Sequence, residues 1–161
     1  MPHPAYIIRA LLISCIATIL LAACSDSGAD PQAKLNDELG RTFLEQNKNS
    51  KGVVALTSGL QYLVLESGNG NPVRITDTLN LHYNGKHLDG STFDSSYERG
   101  SPEHIRVKAM IPGLKQAFLL MHEGDKWRIF VPSYLAYSNR GTEGIAPNET
   151  LIYDLEIVSI N

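Results

Sequence analysis

Few residues of this chain are arranged for acid–base, covalent or metal chemistry. The five histidines are scattered, and His82 and His87 fall on either side of Asn84-Gly85 with no cysteine nearby. That leaves no convergent ligand set of the kind a zinc ion needs. No glycine-rich phosphate loop and no dinucleotide fingerprint occurs. Serines are frequent, but none has the setting of an activated nucleophile. The Asp94-Ser95-Ser96 run reads as a loop that hydrogen-bonds to itself. What remains is an aromatic and aliphatic constellation, which suits a binding cavity better than an acid–base or covalent machine. Neither a metal nor a cofactor is expected.

The two cysteines point elsewhere. Arg9 ends a short polar start, and Ala10 to Leu20 is an apolar run too short to cross a bilayer comfortably. Leu21-Ala22-Ala23-Cys24 follows, and the chain then turns abruptly polar. This is the layout of a secretory signal peptide over residues 1–23, and it resembles the bacterial lipobox, which implies that Cys24 is acylated. Cys15 would be discarded with the apolar run, leaving Cys24 without a disulfide partner in an exported protein. A multiply acylated cysteine anchors stably where a single chain does not. Ser25 in place of an acid resembles outer-membrane sorting, so the expected location is the bacterial cell envelope, lipid-anchored on the outer membrane and facing the periplasm.

The bulk numbers agree with one exported domain. The chain has 161 residues, 43% of them hydrophobic, with a formal net charge of -3. No basic cluster offers a nucleic-acid surface. Residues 24–50 read as a tether, Ser25 to Gln32, and a helix from about Ala33 to Lys48, where Leu35, Leu39 and Phe43 recur at helical spacing. That stripe suits either packing on the domain or a dimer contact. From residue 51 to 161 the period shortens. Leu79, Leu81 and Tyr83 share one strand face, as do Trp127, Ile129 and Val131, and later Leu151, Tyr153, Leu155 and Ile157. Turns are expected at Asn84-Gly85 and Asp89-Gly90. One helix interrupts the strands: Pro112 suits its first position, Leu114, Phe118 and Met121 its apolar stripe, and Gly124 its C-cap. The fold class is α+β, mostly antiparallel.

Ordered motifs narrow this further. Thr57-Ser58-Gly59-Leu60-Gln61-Tyr62, Leu81-His82-Tyr83-Asn84-Gly85, Leu88 to Ser96, Ile111-Pro112-Gly113, Lys126-Trp127-Arg128 and Leu135-Ala136-Tyr137 with Gly144-Ile145 occur in sequence. Over Thr57 to Asn161 the chain resembles an FKBP-type peptidyl-prolyl cis-trans isomerase domain of the bacterial Mip-like branch. The resemblance implies a strongly twisted antiparallel sheet wrapped around one short central helix, preceded here by the N-terminal helix. It also implies a prolyl pocket for proline-containing polypeptides. Asp94, Tyr137, Tyr83 and Phe93 would carry catalysis; Ile105, Met110, Ile111, Leu114, Ile145 and Tyr153 would bind substrate. In those roles the Ile111 N–H and the Tyr137 hydroxyl hold carbonyls, Phe93 and Tyr153 meet the proline ring, and Asp94 lies beside the twisting amide. Arg99 aligns with a position that braces this aspartate, although a loop arginine is as readily solvated.

Some positions depart from the family pattern. Leu114 stands where a tryptophan forms the pocket floor, and Trp127 belongs to a separate strand marker. A macrolide ligand is therefore expected to bind with weakened affinity. Glu103, Ser138-Asn139-Arg140 and Ala146 alter the entrance. The alternative to an enzyme is a non-catalytic binding module or chaperone of the same fold, anchored to the membrane.

Overall fold

A computed structural model describes residues 30–161. The expected signal peptide, Cys24 and most of the tether lie outside the described residues. The first helix, α1 (Pro31–Asn47), starts from Asp30, whose carboxylate accepts the Gln32 N–H at 2.9 Å, with Pro31 in the first turn. This capped, proline-led start places the helix two residues ahead of the expected Ala33, inside what composition suggested was tether.

α1 packs on the domain, but of its apolar stripe only Phe43 takes part. Leu35 and Leu39 are 47% and 52% exposed, whereas Asn36 and Gly40 are buried. Asn36 Nδ2 donates to the Pro147 carbonyl at 2.9 Å, and Asn148 Nδ2 returns a bond to the Ala33 carbonyl at 3.2 Å. Gly40 allows close approach: a Cβ there would sit 3.0 Å from the Thr150 Cβ and closer still to its hydroxyl. Toward the other end, Gln61 Nε2 donates to the Leu44 carbonyl at 2.7 Å, and Phe43 packs on Phe130 at 5.7 Å. A polar seam with one aromatic contact therefore docks the helix.

Seven antiparallel strands follow: β1 (Val53–Ala55), β2 (Gln61–Glu66), β3 (Thr78–Lys86), β4 (Thr92–Ser95), β5 (Glu103–Arg106), β6 (Lys126–Val131) and β7 (Leu151–Ile160). Their order is β1-β2-β6-β7-β3-β4, with β5 also paired to β3. β3 is the organising strand. β7 runs along one edge of it, while β4 takes its Asn84–Lys86 end and β5 its Thr78–Leu81 end. The alternating faces read from sequence are present: Leu79, Leu81, Ile129, Val131, Leu151 and Ile157 are almost fully buried in one core. The second helix, α2 (Pro112–Phe118), opens with Pro112 and buries Leu114, Ala117 and Phe118 against that core.

Two glycines behave differently from expectation. Asn84-Gly85 is not a turn; β3 continues through it to Lys86, and Gly85 pairs with both Asp94 and Tyr153. A Cβ at Gly85 would fall 2.5 Å from the Phe93 ring and 3.2 Å from Tyr153, so the residue clears space for two aromatics. Gly124 does not cap α2, which ends at Phe118 with Leu119 in helical conformation. It has a φ of +90° and sits in the turn before β6, donating to the Ile157 carbonyl at 2.9 Å. That turn is tied by buried Asp125, which accepts the His122 and Gly68 N–H groups at 2.6 and 2.7 Å.

Candidate active site

Between β3, β4, β5, β7 and α2 lies a cavity of about 220 Å³, lined by Leu81, Tyr83, Phe93, Asp94, Ile105, Met110, Leu114, Phe118, Tyr137, Tyr153 and Leu155. Each side chain arrives by a simple rule. Leu81 and Tyr83 share a face of β3, and Tyr153 and Leu155 share one of β7. Leu114 and Phe118, four apart on α2, form the floor. Met110 follows the short 3-10 turn Val107–Ala109 that leads from β5 into α2, and Tyr137 comes from the long loop between β6 and β7. Phe93 and Tyr153 meet edge to face, 5.6 Å apart and 84° inclined, over the gap left by Gly85.

The cavity gathers eight of the ten residues singled out in the sequence. Ile111 and Ile145 do not line it: Ile111 is the partly buried N-cap of α2, and Ile145 is buried in the core, exchanging hydrogen bonds with Thr142. Leu81, Phe118 and Leu155 were read only as core, although their strand and helix phases already pointed inward. Trp127 stacks on Tyr62 at 4.4 Å and does not line the cavity.

Asp94 is the one acid in the wall. Its carboxylate accepts hydrogen bonds from the Tyr83 hydroxyl and from Arg99, while Arg99 Nη2 donates to the Tyr83 oxygen at 2.9 Å. Arg99 is thus a brace, and Glu103 holds it from behind with Oε1 2.8 Å from Nε. Partial burial pushes the Asp94 carboxyl up, but the Tyr83 and Arg99 hydrogen bonds outweigh it and hold the group below the usual carboxylate range. Burial, then the bond to Asp94, pushes the Tyr83 phenol up to about 12. Burial and the neighbouring Tyr137 likewise raise the Tyr153 phenol. At neutral pH the wall therefore carries one ionised carboxylate, held by two hydrogen-bond donors, beside the neutral phenols of Tyr83 and Tyr153.

The Asp94-Ser95-Ser96 run bonds to its own loop only in part: Ser95 Oγ accepts the Glu98 N–H at 3.4 Å, whereas Ser96 reaches back to β3. Ser96 is fully buried, and its hydroxyl accepts the Tyr83 N–H at 2.8 Å while its own N–H donates to the Tyr83 carbonyl at 3.0 Å. Ser96 thereby pins the backbone that aims Tyr83 at Asp94.

Chemically, the cavity offers shape, apolar surface and a fixed dipole, and no proton acceptor of useful basicity. A site of this type can hold a small ring and favour one orientation of an adjacent polar bond.

Comparison with known proteins follows the same lines. Residues 70–158 match the family model described as FKBP-type peptidyl-prolyl cis-trans isomerase, and residues 18–64 match the domain found amino-terminal to it. The chain is 42% identical over 126 residues to the peptidyl-prolyl cis-trans isomerase Mip of Coxiella burnetii, covering 78% of this chain and 55% of that one. It is 38% identical over 155 residues to the macrophage infectivity potentiator of Trypanosoma cruzi, covering 93% and 78% respectively. Among solved structures it superposes on FkpA from Escherichia coli with a TM-score of 0.79 and 35% identity, covering 81% of this chain and 61% of that one. The chain belongs to the FKBP-type peptidyl-prolyl cis-trans isomerase family. Its antiparallel twisted sheet, central helix and preceding N-terminal helix are those the motifs implied. The chain spans about half the length of several curated relatives it matches, the Coxiella protein among them.

Proposed function

We propose that the protein is a peptidyl-prolyl cis-trans isomerase that assists protein folding in the bacterial envelope. The observation that supports this most is the cavity itself: a ring-sized apolar space with a braced carboxylate at its wall. An X-Pro bond turns over only in tens to hundreds of seconds, because twisting it destroys amide resonance. Moving the strongly dipolar planar amide out of water is costlier than moving the twisted, less dipolar one. A cavity that takes the proline ring therefore favours the transition state, with no bond made or broken. A thousandfold acceleration requires only about 4 kcal/mol.

In this reading Phe93 and Tyr153 seat the ring above Leu114. Tyr137 and the Ile111 N–H hold carbonyls on either side. Asp94 acts through its field and not as a base, since its carboxyl is held too acidic to take a proton near neutral pH. A full-length preparation in detergent should accelerate cis-to-trans conversion of X-Pro peptides, most for apolar residues before proline. Rates equal to the uncatalysed reaction would leave a binding module of the same fold, which the replacement of a tryptophan floor by Leu114 favours as a second reading.

We also read residues 1–23 as a signal peptide, 24–50 as tether plus helix, and 51–161 as the isomerase domain, anchored through an acylated Cys24 to the outer membrane. A relative from Legionella longbeachae carries the name outer membrane protein MIP, which is consistent with such an address. Cys24→Ser should release the protein from the membrane fraction and abolish the mass added by acyl chains. An unchanged mass and distribution would rule the anchor out.

A further inference from the structure

Outside the cavity, one cluster of titratable groups has no part in the mechanism above. His87, in the loop joining β3 to β4, places Nδ1 3.2 Å from Glu149 Oε2. The same oxygen accepts the Ala146 N–H at 2.9 Å. On its other side the His87 ring meets Phe93, centroids 5.2 Å apart in an edge contact. A single imidazole thus links the two loops that supply the cavity's walls: the hairpin leading to Phe93 and Asp94, and the long loop carrying Tyr137. Both members of the pair are largely shielded, with side chains 21% and 22% exposed.

We propose, resting on the isomerase reading, that His87 and Glu149 are positioning residues which clamp the Phe93 wall to the late loop and close more firmly when His87 is protonated. A ring packed on Phe93 limits where that wall can stand, and a preorganised wall is what shape-based catalysis needs. The Glu149 carboxylate holds a neutral imidazole by an ion–neutral hydrogen bond and an imidazolium by a full ion pair, which adds Coulomb attraction to the same contact. Histidine moves between those forms around pH 6.5. The charged groups lining the groove at His87 are the acids Glu149 and Asp89, while α1 contributes uncharged Gln32, Asn36 and Leu39. The clamp is therefore complete below the histidine range and weakens as pH rises through it.

The experiment uses the full chain in detergent with two readouts. Wild-type kcat/KM on an X-Pro peptide should fall about two- to fivefold from pH 5.5 to 8.0, the size a partly shielded ion pair supplies. His87→Gln, which can still donate to Glu149 but does not titrate, should flatten that profile and stay more active than His87→Leu. At fixed pH 6, hydrogen exchange at the Ala146 amide should be several-fold faster in Glu149→Gln and His87→Leu than in wild type. A pH profile that survives in His87→Gln, or Ala146 exchange unchanged in Glu149→Gln, overturns the clamp. A wild-type chain inactive at every pH overturns the isomerase reading instead, and the exchange measurement then decides the clamp by itself.

Discussion

Asp94 illustrates how much of the site rests on neighbours. A lone carboxylate at the wall of an apolar cavity would drift toward the neutral form, since burial raises its pKa. The hydroxyl of Tyr83 and the guanidinium of Arg99 reverse that drift. The sign follows: a carboxyl lowered in the folded state contributes stability above its unfolded value of about 3.9 and loses it as pH falls further. Acid loss of activity through Asp94 therefore begins only below about pH 4, well clear of any slope due to His87. With the Asp94 side chain 41% exposed, its ion pair is screened, so Asp94→Asn should cost under about 1 kcal/mol in urea unfolding while lowering kcat/KM clearly. Loss of stability without loss of rate would reassign Asp94 to structure. Leu114 raises a separate expectation. It puts an aliphatic side chain beside Phe118 in the cavity floor where an indole would give a flat surface. Leu114→Trp should tighten macrolide binding about tenfold or more in a titration, and nanomolar binding by the wild type would contradict this account of the floor.

At the scale of elements, strand phase was the dependable signal. Tyr83 with Leu79 and Leu81, and Tyr153 with Leu151 and Leu155, were placed inward by period alone, since a one-residue slip would turn the whole strand over. Glycines were less legible, because a turn glycine and a close-approach glycine look alike without the partner chain. Gly85 is of the second kind, and only the fold brings Phe93 and Tyr153 over it. Gly85→Ala should destabilise the domain by about 1–3 kcal/mol, as overpacking does, and should also depress kcat/KM by displacing Phe93. Unchanged unfolding in urea would show that the rings have room to move. Ser96 was misread for a related reason: its hydroxyl serves β3, thirteen residues back, and not its own loop.

For the whole molecule, the least legible feature was how α1 attaches. The apolar stripe of Leu35, Leu39 and Phe43 suggested a hydrophobic seat, yet the buried face is Asn36 and Gly40. Asn36 finds its acceptor 111 residues away at Pro147, and no local pattern encodes such a partner. Gly40, which propensity marks as a weakness of about 1 kcal/mol relative to Ala, is the point where α1 meets Thr150. The two views predict opposite signs for Gly40→Ala. Docking predicts a lower unfolding midpoint, while a raised midpoint would mean that helix propensity dominates and the seam is loose. The helix meets Pro147, Asn148 and Thr150, the same stretch that carries Glu149, so its attachment bears on the cavity from outside.

The central claim is that this cavity twists an X-Pro amide by shape and field alone. The direct measurement is prolyl isomerisation by the full chain in detergent, beside Asp94→Ala and Tyr137→Phe, with each variant's fold checked by urea unfolding. The wild type should accelerate the reaction well above background. Asp94→Ala should lose about tenfold or more, and Tyr137→Phe about three- to tenfold, the sizes expected for hydrogen bonds to charged and neutral groups. A wild-type rate no faster than the uncatalysed reaction, or folded variants that keep full activity, would contradict it.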